Sequence, residues 1–131
     1  MSHRADDWLA QGEHDLQHAR HALEDGDYDW ACFAAHQAAE KSLKALLLKS
    51  GGEGWGHSLL KLLKELSDQQ PVSPEVFEAA RRLDRHYIPT RYPNGFDWGS
   101  PKDYYALEDA ERAIEDARVL YDFCAQSFRA D

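Results

Sequence analysis

The strongest local case for chemistry lies in RRLDRHYIPTRYPNGFDW, between Arg81 and Trp98. Arg81, Arg82, Arg85, His86 and Arg91 form the densest positive cluster of an otherwise acidic chain, and Tyr87, Tyr92, Phe96 and Trp98 are set among or just behind them. Guanidinium forks grip phosphate oxygens in pairs, while tyrosine faces offer a stacking surface for a base. The same arginines also suit ion pairs with the protein's own surplus Asp and Glu. Both readings stand at this point.

Other candidates are weaker. His14 and His18 sit at i, i+4, a spacing that suits a divalent ion, but no third ligand is fixed nearby, so His14, His18 and His21 are read as a solvated face without a metal. His57 or Ser58 opens a short leucine-rich helix, where a histidine either meets phosphate at the positive helix end or serves as a cap or core hydrogen bond. The run Gly51-Gly52-Glu53-Gly54-Trp55-Gly56 follows no strand and lacks the GKS or GKT ending of a phosphate loop, and is expected to be a connector. Cys32 and Cys124 have no metal-type spacing and lie in apolar helical patterns, as free buried thiols of a reducing cytoplasm do. No cofactor is expected.

Composition narrows the function classes. A formal charge of −9 argues against a general coat for duplex DNA, because non-specific binding neutralises phosphates with Lys and Arg. With 131 residues, 43% of them hydrophobic, residues 1–131 are expected to bury one core as a single domain. The longest aliphatic run, Ala45 to Leu48, is too short to span a bilayer and no apolar leader is seen, so a soluble, cytoplasmic protein is expected.

The elements that must position the cluster are helical throughout. Trp8, Gly12, Leu16, Ala19 and Leu23 recur at helical spacing from an Asp6 or Asp7 cap to a break at Gly26. Trp30 to Lys49, capped by Asp27 or Asp29 and stopped at Gly51-Gly52, should be the central helix. Its wide stripe is Trp30, Ala31, Ala34, Ala35, Ala38, Ser42, Ala45, Leu46 and Leu48, leaving His36, Gln37, Glu40, Lys41 and Lys44 on the other face. Leu59, Leu62, Leu63 and Leu66 mark a third helix. Ser73-Pro74-Glu75 opens a fourth through Val76, Phe77, Ala80 and Leu83, extending to Tyr87 at the most. A fifth starts at Ser100-Pro101-Lys102-Asp103 and continues through Leu107, Ala110, Ile114, Ala117, Tyr121, Cys124 and Phe128. The expectation is an all-α, antiparallel up-and-down bundle of four to five helices. Its one long connection, from Tyr87 to Ser100, carries the aromatic residues, and Tyr92-Pro93-Asn94-Gly95 reads as a β-turn.

AAHQAAEKSLKALLL, GHSLLKLLKEL, YIPTRYPN and SPKDYYALEDAERAIEDA, in this order and at these separations, resemble the HEPN family (higher eukaryotes and prokaryotes nucleotide-binding domain). The resemblance runs from about Trp8 to Phe123. It implies a helical bundle, usually homodimeric, often encoded beside a small nucleotidyltransferase in prokaryotic toxin–antitoxin or stress modules. Some members are metal-independent ribonucleases with an Arg-x(4–6)-His motif, and Arg81 to His86 fits that spacing. His86 would then move protons at the ribose 2′-hydroxyl or the leaving oxygen while Arg81 stabilises charge on phosphorus. On a continuous helix, however, five residues turn the two side chains about 140° apart. They converge only if the helix breaks before His86 or a partner subunit supplies one of them. Arg82 and Ile88 also stand where many of those nucleases have a polar residue and a tyrosine.

The Arg91-Tyr92-Pro93 sequence instead resembles a branch for which the family implies binding of a nucleotide or a nucleotidyltransferase partner. Arg91, Tyr92 and Asn94 would contribute, with Tyr87, Arg85, His57 and Lys41 around them. Arg91 held by an acidic residue such as Glu40 is the structural alternative. The expected function is therefore a nucleotide-binding or partner-binding, non-catalytic domain. The alternatives are a ribonuclease toxin acting on RNA through Arg81 and His86, or a helical adaptor with no small ligand.

Overall fold

Alanine and leucine dominate the stretch between Tyr28 and Lys49, and the helix they form is the one against which every other helix packs. The computed structural model describes residues 3–130. In chain order they form α1 (His3–Glu24), α2 (Tyr28–Lys49), α3 (Leu59–Ser67), α4 (Pro74–Asp84), a 3₁₀ turn (Pro93–Gly95), α5 (Pro101–Tyr104) and α6 (Leu107–Arg129). No strand occurs among the described residues. The fold is an all-α bundle with α1 and α6 along the flanks of α2, and α3 and α4 closing the side that carries the candidate site. No helix is long and apolar enough to cross a membrane among the described residues.

Local sequence explains the helix ends. Gly26 takes φ +81°, and Asp27 N–H reaches back to the Ala22 carbonyl at 2.8 Å, a glycine-ended stop that reverses the chain into α2. Ser58 Oγ accepts from Lys61 N–H at the start of α3, and Ser73 Oγ accepts from Val76 N–H before Pro74 in α4. At Gly12 the α1 backbone lies so close to α2 that a Cβ would fall 2.7 Å from Ser42 Oγ and 3.0 Å from the Ala38 carbonyl. Glycine there permits the close approach. The core is then filled by Leu43, Leu47, Leu59, Leu62, Leu63, Leu66, Leu83 and Leu120, interleaved with the alanines of α2 and α6.

Several boundaries differ from the sequence expectations. α1 already runs from His3, so neither Asp6 nor Asp7 caps it; Asp6 lies in its first turn. Asp27 stands at the N-cap of α2 but only its backbone carbonyl participates, receiving Ala31 N–H. α4 stops at Asp84, short of Tyr87. The expected fifth helix is two: α5 ends at Tyr104, Tyr105 and Ala106 are extended, and α6 restarts when Asp109 Oδ2 accepts the Ala106 N–H at 2.8 Å. A second acidic cap restarts the helix where the apolar periodicity of Leu107, Ala110 and Ile114 begins. The Tyr92–Gly95 turn is displaced by one residue, its hydrogen bond running from Phe96 N–H to the Pro93 carbonyl.

The face assignment of α2 changes most. Trp30 is half exposed, whereas Leu43 and Leu47, outside the expected stripe, are fully buried. His36 and Glu40, assigned to the polar face, are buried as well. Helices cover α2 on so many sides that its polar residues are enclosed with its apolar ones, and each must find a partner.

Candidate functional site

The site grows from the last residue of α4. Asp84 Oδ1 accepts Leu59 N–H at 2.8 Å and the His36 Nε2–H at 3.1 Å, and Oδ2 accepts Leu60 N–H at 3.1 Å and the Ser58 hydroxyl at 3.3 Å. One carboxylate thus ties α2, α3 and α4 together. Burial pushes the Asp84 carboxyl up, but the His36 bond and the two backbone donors together outweigh it and hold the group below the usual carboxylate range. The positive end of α3 is therefore filled by an anion of the protein itself. Phosphate held by His57 at that helix end, as one sequence reading had it, has no place there.

His57 has a different role. Its Nδ1 lies 3.0 Å from Glu40 Oε1 and 3.1 Å from Oε2, and Lys44 Nζ pairs with the same carboxylate at 3.1 Å. An ionised carboxylate only accepts, so Nδ1 carries the proton of this bond, and Nε2 has no hydrogen-bond partner among the described residues. The imidazole stacks on Tyr87, with ring centroids 4.7 Å apart and planes 18° from parallel. Tyr87 continues the aromatic row to His36 at 5.1 Å and Phe33 at 6.1 Å.

Arg91 fastens this row from the loop side. Its guanidinium donates through Nε to the Tyr87 carbonyl at 3.0 Å, with a second bond from the terminal nitrogen, and lies over Phe33 (4.2 Å), Tyr87 (4.9 Å) and Tyr92 (5.1 Å). It makes no ion pair with Glu40, which is held by His57 and Lys44. Arg91 thus shapes the loop, and Thr90 Oγ1, buried and donating to the His86 carbonyl at 2.6 Å, fixes the same turn.

The outcome is an open groove of about 410 Å³ lined by His57, Ser58, Asp84, Arg85, Tyr87, Ile88 and Pro89. Arg85 is exposed at its rim and forms no ion pair among the described residues. A free guanidinium beside the stacked His57–Tyr87 pair and apolar Ile88 is suited to a phosphate with a flat ring attached. Tyr92 and Asn94 stand exposed on the loop beyond Arg91.

Other sequence candidates are placed elsewhere. Arg81 pairs with Glu78 on the outer face of α4 at 2.7 Å. Arg82 forms a two-pronged bond with buried Asp116 of α6, both contacts at 2.9 Å. His86 turns inward with its ring edge against Tyr105 at 5.6 Å, and its buried Nδ1 has no partner. Burial lowers the His86 pKa, against the opposing pull of Asp109 and Asp116. No contact joins Arg81 to His86. Lys41 pairs with Asp15 of α1 and lines a separate groove with Arg4, Asp7, Trp8 and Gln11. His14, His18 and His21 are exposed, and Cys32 and Cys124 are buried free thiols.

Sequence reasoning missed Asp84, and it placed His36 and Glu40 on an open polar face, with Glu40 as a partner for Arg91, where the structure buries both and pairs them with Asp84 and His57. The available signal was Asp84 inside the arginine run, directly after the Leu83 that ends the apolar stripe of α4. For Glu40 and His36, the alanines flanking them on every side already implied a helix with little open surface.

Comparison with known proteins agrees with this architecture. The sequence profile of the HEPN domain matches residues 5–127. Among solved structures, a protein from Thermus thermophilus is 46% identical and superposes with a TM-score of 0.93, covering 97% of this chain and 99% of that one. An archaeal HEPN homologue is 36% identical with a TM-score of 0.80, covering 94% and 96%. A HEPN domain protein from Thermotoga maritima is 34% identical with a TM-score of 0.79, covering 95% and 99%. A suspected toxin from Methanocaldococcus jannaschii is 22% identical, over 92% of this chain and 88% of its own length.

Proposed function

The chain belongs to the HEPN domain family, and from that premise we propose that it binds a nucleotide or a single-stranded RNA segment in the groove between α3 and the Tyr87–Pro89 loop. The observation that carries this is the unpaired Arg85 at the rim of a groove whose wall is the stacked His57–Tyr87 pair. Arg85 takes the phosphate. Tyr87, His57 and Ile88 receive the base, and Arg91 keeps Tyr87 in place through its carbonyl. Tyr92 and Asn94 extend the surface for a longer ligand or a protein partner. Lys41, bound to Asp15, is left out of the set.

The resemblance to a suspected toxin supports a toxin-like role; the cytoplasmic prokaryotic module, with a small nucleotidyltransferase as its second component, is part of the proposal. The acting unit is a homodimer of single-domain chains. A ribonuclease centred on Arg81 and His86 receives no support from their positions, one paired on the outside of α4 and the other turned into the interior.

The test is a thermal-shift titration with ATP, AMP and a short single-stranded RNA. A ligand present at about 100 times its Kd stabilises by about 2.7 kcal/mol, which is several degrees in Tm here. Arg85→Ala, on an exposed side chain, should abolish the shift while leaving the unliganded Tm within about 2 °C. An unchanged Tm at millimolar ligand, or an equal shift in the variant, would refute the reading.

A further inference from the structure

Trp55 is the most exposed large apolar residue among those described, 75% open to solvent, and it stands two residues before His57 of the groove wall. The chain on either side of it is fastened. Gly52 N–H donates to the Leu47 carbonyl at 2.8 Å, and Gly54 is buried on α2, where a Cβ would meet Lys44 Cγ at 3.2 Å and Leu47 Cδ1 at 3.6 Å. On the other side His57 is bound to Glu40, and Ser58 caps α3. Between these fixed points stand only Trp55 and Gly56. Gly56 takes φ +89°, and nothing lies within 4 Å of where its Cβ would be. A left-handed glycine in open space changes its dihedrals at little steric cost, which makes Gly56 a pivot. Among the described residues the indole's one hydrogen bond is to its own loop, Nε1–H donating to exposed Glu53 at 2.7 Å. A plain connector does not need a tryptophan on a pivot. Two residues of chain span at most about 7 Å, so the His57 wall is within reach of the indole.

We infer that Trp55 closes over the groove, its indole turning about Gly56 to cover the outer face of a base seated against Tyr87 and His57, so that the groove selects ligands carrying a flat ring; the inference rests on the binding reading above. The inner face of the base meets the stacked Tyr87–His57 pair. Closure exchanges the solvent-exposed bond to Glu53 for a stacked aromatic face. It also draws water away from the contact between Arg85 and the phosphate, which strengthens that contact. The fixed points on both sides confine the movement to Trp55 and Gly56, and the Glu40–His57 bond stays intact throughout. Stacking tolerates any base, because every base has a π-face. Trp55 therefore separates nucleotides from phosphate or sugar phosphates rather than one base from another.

The experiment records the indole N–H signals of the full chain, which has four tryptophans, by ¹H–¹⁵N NMR during titration with AMP and with ribose 5-phosphate. Trp55→Phe identifies the Trp55 signal. AMP should move that signal saturably, with the same Kd as the groove amides, and ribose 5-phosphate should leave it in place. Trp55→Ala, on an exposed side chain, should keep Tm within about 2 °C. It should weaken AMP binding about 10-fold or more, as loss of one base–aromatic stack does, and Trp55→Phe should recover most of that loss. Glu53→Ala, which frees the indole, should bind AMP at least as tightly as wild type. AMP binding that depends on Arg85 but leaves the Trp55 signal unmoved, or is as tight in Trp55→Ala, overturns this inference and leaves the binding reading standing. Absence of AMP binding overturns the two together. An equal response to ribose 5-phosphate, or a loss in Glu53→Ala as large as in Trp55→Ala, also overturns the closure.

Discussion

Replacing Asp84 by Ala should disconnect three helices at once. The variant loses the acceptor for Leu59 N–H and Leu60 N–H, which act as a helix cap supplied from another helix, and it strands the fully buried His36 ring. Loss of a cap costs about 1 kcal/mol, and a buried donor left unsatisfied costs about 1–3 kcal/mol. The total is about 3 kcal/mol, or about 10 °C in Tm for a domain between the size classes for which such slopes are known. The effect should depend on pH with a defined sign. Asp84 titrates lower in the folded protein than when unfolded, because His36 and the α3 backbone outweigh the opposing effect of burial. Its stabilisation is thus fully present above the unfolded value, about 3.9, and is lost as pH falls through the lower folded value. Urea unfolding of wild type and Asp84→Ala at neutral pH and at a series of acid pH values is the assay. The gap between them should be widest near neutrality and should narrow below about pH 4. A variant within about 0.5 kcal/mol of wild type at neutral pH, or a gap that stays constant into acid, would refute this account of the site's frame.

Gly12→Ala should destabilise by about 1–2 kcal/mol in urea unfolding, because overpacking against the Ala38 carbonyl and Ser42 outweighs the roughly 1 kcal/mol gain in helix propensity; a more stable variant would contradict the close packing of α1 on α2. Arg91→Ala should lower Tm even without ligand, since the Tyr87 carbonyl and three aromatic faces lose their common partner; an unchanged Tm would show that Arg91 does not shape the loop. Burial pushes the Cys32 thiol up to about 12, with Asp109 and Asp29 adding to it, and drives Cys124 above its ordinary range. Both thiols should therefore react with a disulfide reagent only as fast as the protein opens, and rapid labelling of native protein at pH 8 would exclude this burial. Sedimentation equilibrium should give twice the 15.0 kDa chain mass; a concentration-independent monomer would contradict the proposed homodimer.

The sequence made the bundle legible because its signals are local. Ser58, Ser73-Pro74 and Gly26 each act within a few residues, and α2 and α6 show dense helical periodicity. The α5–α6 break was hidden because Leu107, Ala110 and Ile114 keep helical spacing beyond it, while the Asp109 cap that restarts the helix resembles an ordinary first-turn acid. The arginine–aromatic cluster around Arg85, Tyr87 and Arg91 was visible as a contrast in composition. Its internal division of labour was not. Whether Arg91 holds a carbonyl or a phosphate, and whether Glu40 meets Arg91 or His57, depends on contacts between α2, α3 and the loop that no periodicity encodes. His36 and Glu40 were assigned to a polar face because a helical wheel measures only one helix, whereas five neighbours decide what is enclosed.

Amide chemical-shift mapping during titration with AMP and then a short single-stranded RNA tests the central claim most directly. The predicted result is saturable change at Ser58, Arg85, Tyr87 and Ile88, with the Trp8–Lys41 side of the bundle unaffected and the response lost in Arg85→Ala. Changes confined to the Trp8–Lys41 groove, or persisting undiminished in Arg85→Ala, would contradict it.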